Sequence, residues 1–199
     1  MSDNLKQSLS LVFLFSILLA LSAHAIAKSY DTVELEKNES LLISFKQTSY
    51  GWQSKSNSKT FEIEKTGNTY QFKSGSLFYT LKIKDDKYKL YNIKDVLVFK
   101  IKEKEGKIKI SQSEEDPNPW ILKLSDNEGK YKVEKSGAEI GKVKYYPDDG
   151  KLKAKDDKDN VLCSMKYNHL SIAPAVCLIN GISEEERLVL FTMLMLIGK

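Results

Sequence analysis

The sequence predicts a mainly β fold, an antiparallel meander that closes into a barrel or a strongly curved sheet around a C-terminal hydrophobic α-helix. Three observations predict it: short runs in which apolar residues alternate with lysine, turn-forming residues between those runs, and one wholly apolar segment near the C-terminus. Alternation with a period of two is typical of half-buried strands, and short connections join antiparallel neighbours. The length of 199 residues is within the range of a single domain.

The alternating runs define the expected strands. Between Leu77 and Lys84 the odd-numbered positions are all apolar, and lysine occupies positions 82 and 84. We therefore expect Leu81 to face the interior and Lys82 to face solvent. Outward lysines would also discourage pairing between the edges of sheets. Further apolar positions expected to face inward are Leu97, Phe99, Ile101, Ile108, Ile110, Leu122, Leu124, Tyr131, Val133, Val143, Tyr145, Val161, Cys163 and Met165.

Turn-forming residues separate the runs, and the strand pattern repeats. Asp85-Asp86, Glu105-Gly106 and Ser136-Gly137 are typical of tight turns, as is the segment 126–129. The runs that begin at Lys87 recur from Lys130 at an offset of 43 or 44 residues. We interpret the repeat as one strand–turn–strand unit that is used twice in the same sheet.

The C-terminal segment 184–198 is predicted to be a helix. Ser183 and Glu186 form a capping-box pattern, and the acids of the first turn suit the helix dipole. Leu188 to Ile197 is apolar apart from Thr192, and a helix that is apolar on all sides must be buried all round. Ten residues rise only about 15 Å, too little to cross a bilayer. The alternative to a helix enclosed by the sheet is a membrane-anchoring tail.

The N-terminal segment 1–27 is predicted to be a signal peptide. Leu9 to Leu21 is an apolar run of the length of a signal-peptide core, and two A-x-A patterns follow it, at 23–25 and 25–27. Cleavage after Ala25 or Ala27 would leave one exported domain, periplasmic or secreted, at 28–199. The alternative is an uncleaved membrane anchor, although the apolar run is short of the ~20 residues of a comfortable span.

Cys163 and Cys177 are the two cysteines of the chain. In an oxidising compartment they could form a disulfide, which contributes about 3 kcal/mol for such a loop in the chain-entropy model. The alternative is two buried free thiols that pack as small hydrophobic groups. The sequence leaves both interpretations open.

The sequence contains no recognisable motif for catalysis, cofactor binding or metal binding. His169 is the only histidine after the predicted signal peptide, and a Cys163–His169 pair on a straight strand would be about 20 Å apart. The acidic turn 156–160 lacks the glycine and the distal glutamate of an EF-hand loop. No P-loop, GxGxxG, GxSxG or HExxH pattern occurs. We therefore assign no catalytic, cofactor-binding or metal-binding residues.

Lysine carries almost all of the positive charge. The net charge is +4, and Arg187 is the only arginine. Because arginine is preferred for the bidentate recognition of phosphates and bases, we expect no nucleic-acid partner.

A lysine-rich meander with an internal repeat that ends in a wholly apolar helix resembles the tubby C-terminal-like superfamily. This superfamily includes the phospholipid scramblases and the LURP-one-related proteins of plants. The resemblance covers the chain from about Thr60 to the C-terminus and rests on architecture rather than on a motif. It implies a closed β-barrel threaded by a hydrophobic helix, here Leu188 to Ile197, and some members bind phosphoinositides through basic residues. The predicted signal peptide departs from these largely intracellular proteins.

Two functions are consistent with the sequence. The first is an exported, non-catalytic binding or envelope module, whose barrel mouth or basic face meets a lipid, a membrane surface, a polymer or a protein. The second is an enzyme with carboxylates or tyrosines that one sequence does not reveal. The lack of a recognisable catalytic set favours the first, whereas a deep pocket with convergent polar groups would favour the second.

Overall fold

A computed structural model describes residues 32–125 and 129–198. These residues form one closed barrel of fourteen strands, in which the strands follow chain order, all neighbours are antiparallel and β1 pairs with β14. The mainly β fold and the antiparallel meander are confirmed, and the sheet is a barrel. The predicted signal peptide and most of the predicted turn at 126–129 lie outside the described residues. The strands are β1 (Val33–Lys37), β2 (Ser40–Gln47), β3 (Trp52–Ser56), β4 (Thr60–Thr66), β5 (Thr69–Ser74), β6 (Leu77–Lys84), β7 (Lys87–Asn92), β8 (Leu97–Lys104), β9 (Lys107–Ser111), β10 (Trp120–Ser125), β11 (Lys130–Lys135), β12 (Ala138–Tyr146), β13 (Lys151–Asp156) and β14 (Val161–Lys166).

Alternate residues of the strands point into the barrel and are buried. Leu81 is buried and Lys82 is exposed, as the alternation predicts. The prediction is wrong for Leu124 and Val161, which are 40% and 48% exposed. Both lie near strand ends, and the pairing of β13 with β14 shifts register just after Val161, between Val161 and Cys163. The strand alternation therefore holds within the barrel wall and fails at its rims.

The C-terminal helix, α1, runs from Glu184 to Leu196. Its capping box is complete: the Ser183 amide donates to Glu186 Oε2 at 2.7 Å, and the Glu186 amide donates to Ser183 Oγ at 3.2 Å. The helix begins where the sequence predicts. It ends two residues before the predicted boundary at 198, because Ile197 and Gly198 form a turn.

Helix α1 lies inside the barrel. Every residue from Leu188 to Leu194 has no exposed surface. Because the outer faces of the strands carry lysine, these apolar side chains pack against the inner faces. The Thr192 hydroxyl lies 2.6 Å from Ser54 Oγ on β3 and 2.7 Å from the Leu188 carbonyl oxygen. A carbonyl only accepts, so Thr192 donates to Leu188 and accepts from Ser54, which satisfies both buried hydroxyls.

A second segment of the chain also fills the interior. After β14 the chain turns back, and residues 173–177 form a buried 3₁₀-helix that contacts β12, β13 and β14. This 3₁₀-helix and Leu178 are here called the inner segment. A disulfide joins Cys177, at the end of this 3₁₀-helix, to Cys163 on the inner face of β14, with 6.4 Å between the Cα atoms. Side chains alone fill the interior of a barrel of about eight strands. A barrel of fourteen strands is wider, and here two segments of the chain occupy the space.

Gly141 lets the inner segment approach the wall of the barrel closely. A Cβ atom at this position would lie 2.2 Å from the Lys155 carbonyl oxygen and 2.5 Å from Leu178 Cδ2. Real Cβ contacts are never that short, so any side chain here would push apart β13 or the inner segment. The residue also stands where the pairing of β11 with β12 shifts register.

Candidate functional site

Helix α1 begins at one of the two ends of the barrel, and this end is here called the near mouth. The turns 38–39, 57–59 and 157–160 lie at this end, because they connect β1 to β2, β3 to β4 and β13 to β14. Ser58 Oγ donates to Glu184 Oε1 at 2.9 Å, which ties the first turn of the helix to the turn after β3. Charged residues of the helix therefore meet the rim of the barrel, while its apolar residues lie below them.

A second carboxylate of the helix, Glu185, binds two groups of the wall. Lys59 Nζ lies 2.8 Å from Glu185 Oε2, and the Tyr79 hydroxyl donates to Glu185 Oε1. Burial tends to raise the pKa of Glu185, but the hydrogen bonds from Lys59 and Tyr79 outweigh it and hold the pKa below its usual value. Burial, together with the bond to Glu185, raises the pKa of Tyr79, so the phenol stays protonated.

Stability is expected to fall in acid through Glu185. A carboxyl group with a lowered folded-state pKa stabilises the fold above its unfolded pKa, near 4.5, and loses this contribution as the pH falls through the folded-state value. We expect the melting temperature of the Glu185→Gln variant to be lower than that of the wild type at pH 7 and to fall less between pH 5 and pH 3. Calorimetric melts of the variant and the wild type from pH 7 to pH 3 check this expectation. The control is Glu115→Gln, which changes an exposed loop carboxylate. Its melting temperature should depend on pH as that of the wild type does. The account is wrong if Glu185→Gln also shows the wild-type pH dependence.

A cavity opens at the near mouth beside the seam that closes the barrel. The seam is short, since β1 and β14 pair only through Leu35 with Met165 and Glu36 with Ser164. The cavity has a volume of about 740 Å³. Its apolar lining comes from both sides of the seam and from the disulfide. The lining side chains used below are Leu42, Ile43, Leu162, Cys177, Glu184 and Arg187.

Arg187 is the half-buried cation of this cavity. Its Nη1 donates to the carbonyl oxygens of Val176 and Ile179, at 3.3 Å for the latter. No carboxylate of the described residues lies within 4.0 Å of it. Burial lowers the pKa of the guanidinium, because the charged form is poorly solvated there. Nε and Nη2 of Arg187 have no hydrogen-bond partner among the described residues. Since every fully buried side-chain nitrogen or oxygen of these residues has a partner, Nε and Nη2 are not fully buried.

The carboxylates around the cavity are engaged in local hydrogen bonds. Asp156 accepts from the amides of Lys158 and Asn160 and from the Asn160 side chain, at 2.8–3.0 Å. Glu184 accepts from Ser58, and hydrogen bonds from Ser58 and Ser56 lower its pKa. Neither carboxylate is placed as a free general base.

The remaining residues considered for chemistry are not brought together. The Cys163 sulfur is in the disulfide, so it is no nucleophile, and His169 is exposed beyond the end of β14, with its ring against Tyr167. Within the described part of the chain, no group of three or more His, Cys, Asp or Glu side chains could hold a metal ion.

The outer face of the barrel from β6 to β13 carries lysines directly opposite one another on successive strands. Neighbouring strands lie about 4.8 Å apart, so each row is a line of closely spaced positive charges. We call these rows together the lysine face. The first row is Lys84, Lys87, Lys102 and Lys109; the second is Lys104, Lys107, Lys123, Lys132, Lys142 and Lys155; the third is Lys130, Lys144 and Lys153.

The rows differ in how far carboxylates neutralise them. In the second row, Lys123 lies 2.6 Å from Glu134 and Lys142 lies 2.7 Å from Asp159. In the first row, no lysine has a carboxylate of the described residues within 4.0 Å. Like charges directly opposite each other on a sheet are destabilising. The expected role of these lysines in protecting sheet edges does not apply, because a closed barrel has no free edge.

Comparison of the chain with family models, with curated proteins and with solved structures gives no match. The resemblance to the tubby-like superfamily therefore stays a prediction. Among the described residues, no helix is both long and apolar enough to cross a membrane.

Sequence reasoning missed the cavity. From the sequence, Arg187 was distinguished only as the single arginine of the chain, and no role was predicted for it. Its position offers a signal: it is the last charged residue before a wholly apolar helical segment, so its side chain must lie at the border of the interior. The lysine rows could not be predicted, because they depend on the register between strands.

Proposed function

We propose that this protein is a non-catalytic module that attaches to an anionic membrane surface through the lysine face. The observation that carries the proposal is the first lysine row, which places four uncompensated positive charges in line across β6–β9. A lysine near an anionic membrane surface contributes about 1 kcal/mol to binding. The predicted signal peptide would bring the protein to the cell envelope, where such surfaces occur.

The composition of the face supports a membrane rather than a nucleic acid as the partner. The face is built from lysine, a hydrated point charge, and not from arginine, which recognises phosphates and bases with a bidentate fork. The engaged carboxylates of the near mouth support the non-catalytic part of the proposal.

Sedimentation with lipid vesicles tests the proposal. We expect the mature protein to bind vesicles that contain phosphatidylglycerol, to bind pure phosphatidylcholine vesicles weakly, and to be released by high salt. A first-row variant, in which Lys84, Lys87, Lys102 and Lys109 are all changed to Gln, should bind the anionic vesicles on the order of 1000-fold more weakly.

A matched variant controls for net charge. It changes four exposed lysines on strands β2–β5, outside the lysine face, to Gln: Lys46, Lys55, Lys65 and Lys73. We expect this variant to keep most of the vesicle binding. Equal losses in the two variants would show that net charge alone acts, and binding to duplex DNA without binding to vesicles would identify the wrong partner.

A further inference from the structure

We propose that the cavity at the near mouth binds an amphiphile that carries one anionic headgroup, a carboxylate or a phosphate, on an apolar chain. This site is separate from the lysine face, and the inference does not rest on the proposed function. It follows from the fixed orientation of Arg187, the lack of a compensating charge, and the apolar cavity beside it.

The Arg187 guanidinium is held in position before any ligand binds. Its Nη1 donates to the carbonyl oxygens of Val176 and Ile179, which belong to the inner segment and its continuation toward the helix. These bonds constrain the orientation of the group, which lines the cavity, and its Nε–Nη2 edge has no partner among the described residues. This edge of an arginine matches the two oxygens of a carboxylate or a phosphate.

The half-buried charge of Arg187 has no counterion among the described residues. Glu184, which also lines the cavity, accepts from Ser58 and is not within 4.0 Å of the guanidinium. A buried charge is costly unless it is paired. An anionic headgroup would supply the missing partner, so anionic ligands should be preferred over neutral or cationic ones.

The rest of the cavity suits an apolar chain. Leu42, Ile43 and Leu162 line it together with the disulfide at Cys177, and the volume of about 740 Å³ is within the range of small-molecule sites. The short pairing between β1 and β14 leaves the near-mouth end of the seam unpaired, which gives a route for the chain of a ligand.

Calorimetric titration with four probes of matched chain length tests the inference. The probes are dodecanoate, dodecyl phosphate, dodecanol and dodecyltrimethylammonium, each below its critical micelle concentration and without vesicles. We expect both anions to bind the mature protein at least tenfold more tightly than dodecanol, and the cation not to bind. Equal binding of the anions and the cation, or no binding of either anion, would overturn the proposal.

Variants locate the site. Arg187→Gln should weaken the binding of dodecanoate at least tenfold, and Leu162→Trp should do so by filling the cavity without touching Arg187. Val161→Trp, on the neighbouring and exposed residue outside the cavity, is the matched control and should bind as the wild type does. If Arg187→Gln does not fold, Leu162→Trp decides, and unchanged binding by Leu162→Trp refutes the site. The first-row lysine variant should bind dodecanoate normally, so failure of the vesicle experiment and failure of this one are distinguishable.

Discussion

Leu190→Asp and Leu194→Asp are each expected to abolish the folded barrel. Both side chains lie on α1 and have no exposed surface. An unpaired carboxylate in an apolar interior either stays charged at great cost or takes up a proton and loses the packing of the leucine. Either cost is large beside the net stability of a typical domain, about 5–15 kcal/mol.

Circular dichroism and thermal melting of the purified variants check this expectation. Ile197→Asp is the matched control, because it makes the same kind of change in the half-exposed turn that follows the helix. We expect the control to melt cooperatively, a few degrees below the wild type. If Leu190→Asp and Leu194→Asp melted like the control, the helix would not be enclosed by the barrel.

Leu81→Lys is expected to lower the free energy of unfolding by several kcal/mol, whereas Lys82→Leu should change it by about 0.5 kcal/mol or less. Leu81 is fully buried in β6. Lys82 is exposed and lies 3.6 Å from Asp95, a contact between exposed groups that contributes little. Urea denaturation of the two variants measures the difference. Equal shifts for these neighbours would mean that the register of β6 is wrong.

The strands from β6 onward could be predicted because their side chains alternate between apolar and charged. Val33 and Leu35 of β1 alternate with glutamate in the same way, but β3 has no such pattern. In β3 the inward positions include Ser54 and Ser56, which are buried but polar, so the strand has no apolar face to recognise. Ser54 faces inward because it meets Thr192 of the helix, a contact between residues far apart in the chain.

The helix was predicted more accurately than the sheet, for a physical reason. Its capping box and its apolar stretch are local features, so Ser183 and Glu186 identify the start of α1 without any knowledge of the rest of the fold. Closure of the barrel depends on the pairing of β1 with β14, which no local pattern encodes. Between a curved sheet and a barrel the sequence therefore could not decide.

The candidate sites depend on the same long-range contacts. The cavity forms where the seam, the inner segment and the start of α1 meet, and its arginine is recognisable only once these elements are in place. The lysine rows arise from the register of successive strands, since the sequence alone predicts outward lysines but not which of them lie opposite one another.

The central claim is that α1 forms the core on which the barrel closes, and removal of the helix tests it most directly. The mature chain would be truncated after Ser183, and its circular dichroism and thermal melt compared with those of the full mature chain. Burial of one leucine contributes roughly 1.5–3 kcal/mol, and the truncation removes a helix whose residues 188–194 are all buried. We expect the truncated chain to show no cooperative melt. A cooperative, β-type melt close to that of the full chain would contradict the claim.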